Sequence, residues 1–397
     1  MRDELVRLRH RLHAEPELGL HLPRTQEKVL EALDGLPLEV GTGTASTSVT
    51  AVLRGARPGG TVLLRGDMDA LPVAEKTGVG YASRVDGAMH ACGHDLHTTM
   101  LAGAAHLLAA RRDRLAGDVV FMFQPGEEGH DGAASMIAEG VLDAAGPRVD
   151  AAYGLHVMSA GLAPGSFRTR RGPILAASDT VRVVVHGAGG HGSAPHRAKD
   201  PIAAACEMVP ALQTFVTRHF DVFDPVVVTV GAFHAGTQHN VIPDEATFEA
   251  TVRSFSPEAH RAIKDGFVQV CRGVAAAHGV AVDVDYADCY PVTVNDAAEA
   301  EFAVGVVAEV LGEERVGWSD RPYTGSEDFS RVLDEVPGAF VALGAAPREV
   351  DWTAAPNNHS PLAVFDDAVL PDGAAVYAEL AARRLLELEG AVPARWT

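Results

Sequence analysis

Cysteine and aromatic residues are scarce in this sequence. Its 397 residues include four cysteines, and aromatic residues make up 6% of the chain. The cysteines, at positions 92, 206, 271 and 289, do not have the dense, regular spacing of a disulfide framework. Cys206, Cys271 and Cys289 lie in segments with helix or strand patterns, and we expect them to be small buried hydrophobic residues.

Basic charge and long apolar segments are also lacking. Lys and Arg number 33 against 53 Asp and Glu, which gives a formal charge of −20. This balance argues against nucleic acid or an anionic membrane as a partner, because phosphate binding depends on clustered Lys and Arg. No apolar run reaches the roughly 20 residues of a membrane helix. Leu5, Leu8 and Leu12 predict an amphipathic surface helix rather than a secretory signal, so we expect a cytoplasmic protein.

Residues 1–177 alternate strand and helix patterns. A length of 397 residues already favours two domains, since single cores seldom grow so large. Strand-like runs are followed by a long helical pattern from Asp95 to Arg111. The predicted strands are Ser48–Leu53, Thr61–Arg65, Asp118–Phe123 and Ala151–Val157. This alternation predicts a layered α/β domain.

Residues 178–291 have the different pattern β-α-β-β-α-β, which is typical of a ferredoxin-like unit. The predicted elements are Thr180–His186, Pro201–Arg218, Val226–Phe233, Thr247–Phe255, Pro257–His278 and Ala281–Tyr286. Asp200 and Ser256 are suited to cap the two helices. Residues 292–397 return to the earlier style, with an apolar strand at Ala339–Leu343. The predicted fold class is therefore α/β: a discontinuous domain, 1–177 and 292–397, with a ferredoxin-like insertion.

The densest cluster of chemically active side chains is His90-Ala-Cys-Gly-His-Asp-Leu-His97. It precedes the long helical pattern, so Cys92 and His94 would lie in a loop or in the first helical turn. Thiolate and imidazole groups are the usual ligands of zinc-like ions. The alternative is a capped helix start with ordinary polar residues, for which Asp95 is suited under either interpretation.

Further candidate ligands follow predicted strands. Glu127 and Glu128 come after an apolar strand, where adjacent carboxylates need a cation or a proton between them. Asp67, Asp69 and His156 also stand near strand ends, and His359 lies far along the chain. Each is ambiguous alone, since acidic loops and turn residues are common. Ligands collect at the carboxyl ends of strands in α/β sheets, so the joint placement favours a site for two ions.

These motifs resemble the M20 metallopeptidases, and more closely the branch with hippurate hydrolase, N-acyl-amino-acid amidohydrolases and auxin-conjugate hydrolases. The matching segments span the chain in order. They are Arg11-Leu-His-Ala-Glu-Pro-Glu-Leu-Gly19, Arg65-Gly-Asp-Met-Asp-Ala-Leu-Pro72, His90-Ala-Cys-Gly-His-Asp95, Gln124-Pro-Gly-Glu-Glu128, Gly154-Leu-His156, Gly190-His-Gly-Ser-Ala-Pro-His196, His239-Asn-Val-Ile-Pro243, Gly325-Ser-Glu-Asp-Phe329 and Asn358-His-Ser-Pro361.

The resemblance implies a metal-dependent hydrolase of N-acyl amino acids with two divalent ions, for which Zn, Mn, Ni and Co are all candidates. The implied metal ligands are Cys92, His94, Glu128, His156 and His359. Glu127 falls on the general acid/base, and Asp69 on a carboxylate that orients a ligand. The wider clan has His at the position of Asp67 and a bridging Asp at that of Cys92. This departure favours the acyl-amino-acid branch over dipeptidases and carboxypeptidases.

The resemblance also implies a ferredoxin-like lid that forms a homodimer, or a larger oligomer built from it. His191 falls on a lid histidine that stabilises the oxyanion in the partner's active site. Asn240, Arg253 and Ser326 are the implied substrate-binding residues. From the residues alone, Gly189-Gly-His-Gly192 is also compatible with a flexible turn, and Arg253 with an exposed strand-end charge.

Other functions remain open at this point. The chain is also compatible with a dipeptidase or aminopeptidase on the same scaffold. Cys92 is a candidate nucleophile for a metal-independent Cys–His amidase, although the surrounding ligands would then have no use. A non-catalytic metal-binding relative is the last alternative, and the presence of Glu127 argues against it.

Overall fold

The chain folds into two units, each with its own hydrophobic core. The structure is a computed structural model that describes residues 1–390. The first unit consists of Met1–Ile174, Val294–Arg321 and the described part of Arg331–Thr397. The second consists of Leu175–Thr293 and Pro322–Ser330. The architecture is thus a discontinuous α/β unit with an inserted unit. The predicted boundaries, with an insertion at 178–291, stay a prediction, and no sequence pattern assigned residues 322–330 to the second unit.

Helices and strands alternate along much of the described chain, across both units. The helices are α1 (Arg2–Ala14), α2 (Pro23–Leu33), α3 (His94–Ala109), α4 (Gly132–Ala138), α5 (Pro201–His219), α6 (Pro257–His278), α7 (Ala297–Leu311), α8 (Ser330–Leu333) and α9 (Leu370–Leu388). The strands are β1 (Leu38–Thr42), β2 (Val49–Leu53), β3 (Arg57–Asp67), β4 (Ala116–Gln124), β5 (Ala151–Met158), β6 (Phe167–Thr169), β7 (Gly172–Leu175), β8 (Ala177–His186), β9 (Gly190–His191), β10 (Val227–Ala235), β11 (Val241–Ile242), β12 (Glu245–Ser254), β13 (Ala281–Tyr290), β14 (Thr293–Asn295), β15 (Val316–Trp318) and β16 (Gly338–Gly344).

An eight-stranded sheet forms the centre of the first unit, in the order β1-β2-β4-β3-β5-β16-β6-β15. Its central strands β4, β3, β5 and β16 run parallel. They are buried on both faces, which explains their continuous apolar runs. α3 and α9 pack against β3, and the core includes Leu64, Leu101 and Leu380. The parallel strands therefore end at one common edge.

Gly93 sets the entry into α3 at this edge. Its φ is 86°, a left-handed conformation that favours glycine, and it stands at the N-cap position between Cys92 and His94. A Cβ atom here would lie 2.4 Å from Cγ2 of Val157, so a side chain is also excluded by packing. This glycine allows Cys92 and His94 to approach β5 closely.

The second unit contains the predicted β-α-β-β-α-β arrangement. Its antiparallel sheet has the order β10-β12-β8-β13, and α5 and α6 pack against it. Alternate residues of β8 are buried, as expected for a sheet with one covered face. The Asp200 and Ser256 side chains accept hydrogen bonds from Ile202 N and Ala259 N, which confirms both predicted caps. A small additional pair, β9 with β11, lies outside the predicted pattern.

Two predictions about burial have different outcomes. Leu5, Leu8 and Leu12 are buried on one face of α1, which confirms the amphipathic helix. Cys271 is buried, but Cys289 is half-buried and Cys206 is exposed, so the prediction for Cys206 is wrong. The buried residues of α5, such as Ala204 and Ala205, define a face from which Cys206 points away. Within residues 1–390, no helix combines the length and the apolar character needed to cross a membrane.

Candidate metal centre

The carboxyl ends of the central strands bring most of the predicted ligands together. Asp67 is the last residue of β3, and Glu127 and Glu128 follow the end of β4 at Gln124. His156 lies inside β5, two residues before the strand ends at Met158. Cys92 precedes α3 and His94 is its first residue. The shared sheet edge thus explains why residues far apart in the sequence meet.

Cys92 is at the centre of this cluster. Its Sγ lies 3.4 Å from Nε2 of His156 and 3.3 Å from Nε2 of His359. Oε1 of Glu128 lies 3.3 Å from the same His359 nitrogen. Hydrogen bonds to Cys92 and Glu128 raise the pKa of His359 to about 10, despite partial burial. The thiol and the carboxylate thus both favour a positive charge at the position of His359.

His94 is fully buried, and neither of its ring nitrogens forms a hydrogen bond. Nε2 lies 3.5 Å from Asp67 Oδ2 and 4.0 Å from both Glu127 Oε2 and Glu128 Oε1. Burial lowers the pKa of His94, but Asp67 and Cys92 outweigh it, so the net pKa is well above the ordinary value. A buried imidazole without a partner, next to several carboxylates, has the environment of a metal ligand.

His156 is held in the orientation that a ligand needs. Its Nδ1 lies 2.9 Å from the carbonyl oxygen of Val157, to which it donates in the neutral ring, and Nε2 faces Cys92. Burial, followed by the neighbouring His97, lowers the pKa of His156 well below its ordinary value. The ring is therefore neutral with a lone pair on Nε2, which is the form that binds metals.

The donor groups fit a pair of divalent cations. Two triads, Cys92 with His94 and His156, and Cys92 with Glu128 and His359, each have their donor atoms within 4.8 Å of one another. Both include the Cys92 thiol, so one sulfur belongs to two triads. Glu127 lies in a third group with His94 and Glu128. Thiolate, imidazole and carboxylate donors at this spacing match the chemistry of zinc-like ions.

Asp69 orients the loop that carries the two glutamates. Its Oδ1 accepts a hydrogen bond from the backbone N–H of Glu127, and its Oδ2 accepts one from that of Glu128, both at 3.0 Å. Oδ1 also lies 3.5 Å from Nδ1 of His94. Asp69 is fully buried, and these two N–H groups replace the hydrogen bonds that its carboxylate would form with water.

Sequence reasoning missed the supporting roles of Asp67 and His97. Nε2 of His97 accepts a hydrogen bond from Val157 N at 2.7 Å, so Nδ1 carries the ring proton and donates it to Asp67 at 2.6 Å. Burial raises the pKa of Asp67, but the adjacent Arg65 and two histidines lower it well below the ordinary value. His97 thus connects β3 with the strand that carries His156. Its place in the His90–His97 motif was the available signal.

The predicted lid residues lie in the second unit. β9 pairs with β11, which places His191 opposite Val241, and Gly192 N donates to the Asn240 carbonyl at 2.8 Å. The His191 and Asn240 segments are therefore neighbours. Ser193 N donates to Nδ1 of His191 at 3.1 Å, which leaves the proton of a neutral ring on Nε2. His191 thus presents an exposed N–H donor.

Arg253 and Ser326 are placed elsewhere in the second unit. Arg253 lies near the end of β12, eight residues and roughly 27 Å of strand beyond Glu245, where the chain arrives from β11. It donates to Thr251 Oγ1 and to the Val252 carbonyl. Ser326 is half-buried in the segment Pro322–Ser330. Arg253 therefore does not form one subsite with Asn240 inside this unit.

Comparison with known proteins agrees with the donor cluster. The model of Peptidase family M20/M25/M40 matches residues 63–383. The chain belongs to this family. It is accordingly a metal-dependent hydrolase, and the match includes every predicted metal ligand.

Relatives with different named activities match over nearly the whole chain. Thermostable carboxypeptidase 2 of Saccharolobus solfataricus is 38% identical, covering 96% of this chain and 95% of its own length. Hippurate hydrolase of Campylobacter jejuni is 36% identical, covering 97% of both. A solved Bacillus subtilis structure, described as a dinuclear metal-binding peptidase of the M20 family, is 33% identical with a TM-score of 0.83, covering 98% of this chain and 99% of that one.

Proposed function

We propose that the chain is a two-metal amidohydrolase that cleaves the amide bond between an acyl group and an amino acid. The observation that carries the proposal is the thiol of Cys92, which belongs to two donor triads at once, with Glu127 beside them. A sulfur shared in this way suits two ions held close together. Relatives named hippurate hydrolase and dinuclear peptidase support the same interpretation.

The proposed mechanism assigns proton transfer to Glu127. Two ions such as Zn, Mn, Ni or Co, held by Cys92, His94, Glu128, His156 and His359, would polarise the amide carbonyl and make a water acidic near neutral pH. Glu127 accepts a proton from the attacking water, whose oxygen adds to the amide carbon. As the C–N bond breaks, Glu127 returns that proton to the amine nitrogen. The products are a carboxylic acid, which loses its remaining proton to solvent or to the released amine, and a free amino acid. The water adds directly to the amide carbon, so no acyl-enzyme forms.

Residues outside the proposed ligand set have positioning, oxyanion-binding and substrate-binding roles in this proposal. Asp69 holds the Glu127–Glu128 loop, and the exposed N–H of His191 stabilises the oxyanion in the active site of a partner chain. Asn240, Arg253 and Ser326 are the proposed substrate-binding residues, with Arg253 and Asn240 in separate subsites of their unit. We further propose a homodimer formed through the second unit, and a cytoplasmic location.

Glu127→Gln tests the assignment of the general base. We expect the rate to fall by about two to four orders of magnitude, because the amide cannot accept a proton. The metal content should stay at the wild-type level. Glu128→Gln is the contrasting variant in the adjacent position, and it should lower metal content as well as rate. Near-full activity of Glu127→Gln with metal bound would rule out its proposed role.

The substrate class is tested in the same preparation. Thermostable carboxypeptidase 2 is also among the relatives. The C-terminal residue of a peptide contains the same two groups as an N-acyl amino acid, which are an amide at its nitrogen and a free carboxylate. A panel of N-acetyl, N-benzoyl and longer N-acyl amino acids, blocked peptides and free dipeptides separates the candidates. Preference for free dipeptides would favour the dipeptidase or aminopeptidase alternative.

A further inference from the structure

The side-chain amide of Asn358 connects three segments that carry proposed metal ligands. Its Nδ2 donates to the carbonyl oxygens of Cys92, at 3.1 Å, and of Val157, at 2.9 Å. Val157 follows His156 directly, and Asn358 itself precedes His359. One amide group therefore joins the backbone next to three of the five proposed ligands.

The hydrogen bonds of this amide fix its orientation. Oδ1 accepts from the backbone N of Ser159 at 2.8 Å. The Ser159 hydroxyl, which has one proton, is shared between Oδ1 at 2.9 Å and the Pro356 carbonyl oxygen at 2.8 Å. The NH2 group donates to two carbonyl oxygens and the oxygen accepts from the Ser159 backbone N–H, so the amide has only one orientation that satisfies these contacts. A carboxylate in this position has no protons to offer the two carbonyls. The site is thus specific for an amide rather than for any polar group.

The neighbouring His359 has a backbone conformation that needs such support. Its φ is 71°, in the left-handed region that non-glycine residues seldom adopt. Residues of this kind persist when surrounding contacts hold them in place. The backbone N of His359 donates to the Ala91 carbonyl at 2.8 Å, beside the Cys92 contact of Asn358. Two adjacent hydrogen bonds therefore attach the His359 segment to the Cys92 segment.

We propose that Asn358 is a positioning residue that keeps Cys92, His156 and His359 at the spacing required by a two-metal centre. The inference rests on the proposed function, since it concerns ligands of that centre. Asn358 acts on both triads, because the shared Cys92 belongs to each and His156 and His359 belong to one each. Its loss should weaken the binding of both ions and distort the geometry around the thiolate.

The test uses the full-length protein, with metals measured independently of turnover. Affinity and stoichiometry are obtained by competition with a chromophoric chelator, and geometry from the thiolate-to-metal absorption of the cobalt-loaded protein. We expect Asn358→Leu and Asn358→Asp to lower affinity by about 10- to 100-fold and to change that absorption. Ser159→Ala removes one partner of the amide and should give a smaller change in the same direction.

Asn357→Asp is the matched control. Asn357 is the exposed preceding residue, so this variant adds the same charge near the cluster without touching the amide of Asn358. It should bind metal as the wild type does. A new carboxylate by itself attracts cations, so weaker binding in Asn358→Asp would be a positional effect.

The outcomes separate the inference from the proposed function. A wild-type protein that does not bind two ions would overturn the proposed function. A wild-type protein that binds two ions, together with unchanged affinity and spectrum in the folded Asn358 variants, would overturn this inference alone. Reduced stability of the metal-free variants with unchanged affinity would also overturn it, because Asn358 would then be merely structural. If Asn358→Leu and Asn358→Asp do not fold, Ser159→Ala decides the question by the same criteria.

Discussion

Asp69 illustrates how a residue affects the site through the backbone. Its two oxygens accept from the N–H groups of Glu127 and Glu128. In Asp69→Asn, one oxygen becomes an NH2 group that faces an N–H, so one hydrogen bond is lost and the loop shifts. We expect kcat to fall by about 10- to 100-fold while both metals remain bound. Steady-state kinetics with metal analysis is the measurement.

Asp86→Asn is the control for this variant, since Asp86 is exposed in the loop before the His90–His97 motif. It should leave kcat unchanged. A kcat within twofold of wild type in Asp69→Asn would show that the contacts to the Glu127–Glu128 loop do not matter for the reaction.

At this scale the sequence indicated which residue types meet but not how they are supported. Cys92, His94 and the two glutamates belong to short motifs, so their chemistry was recognisable. The contacts of Asn358 with Cys92 and of His97 with Asp67 span 266 and 30 residues. Such supporting contacts depend on the fold, so no local sequence pattern predicts them.

Among the secondary-structure elements, α1 supports the segment that carries the proposed ligands Cys92 and His94, although α1 precedes the matched family region. Arg9 and His13, one helical turn apart, both bond to Oδ2 of the buried Asp95 at 2.8 Å. Burial raises the pKa of Asp95, but Arg9 and His13 lower it far below the ordinary value. The ion pair therefore ties α1 to the start of α3, next to His94.

Arg9→Met should lower the free energy of unfolding by about 3 kcal/mol or more, because it removes one partner of a buried charge. Arg11→Met is the matched control on the exposed face of α1. Its ion pair with Glu31 is about half exposed on both sides, so a loss below about 1 kcal/mol is expected. Urea unfolding of both variants measures the difference. Equal losses would contradict a special role for the Arg9–Asp95 pair.

Long elements were predictable, and short ones were not. β5 is the predicted strand Ala151–Val157 extended by one residue, and α6 is the predicted helix Pro257–His278. β6, β14 and β15 have three residues each, too few for a periodic pattern. Their positions are set by neighbouring strands rather than by their own sequence.

For the whole molecule, the division into two units predicts an uneven response to metal removal. All proposed ligands lie in the first unit. Each ion, at 100 times its dissociation constant, would stabilise that unit by about 2.7 kcal/mol. Chelation should therefore abolish activity and increase amide hydrogen exchange in β3 and β5, but not in β8 or β12. Exchange measured by mass spectrometry, with metal restored as the control, tests this.

Activity that survives complete chelation would instead favour Cys92 as a nucleophile. Equal changes of amide hydrogen exchange in both units would contradict this prediction. They would show that the ions stabilise the second unit as well as the unit that contains their proposed ligands.

The discontinuity of the first unit also sets the order in which the protein can form during synthesis. The four-stranded sheet of the second unit is complete once β13 has left the ribosome, and domains generally fold as units. The eight-stranded sheet must wait for β16, which is inserted between β5 and β6. His359 emerges later still. A nascent chain therefore carries a complete four-stranded sheet, although not yet residues 322–330 of the second unit, before it can assemble the cluster around Cys92.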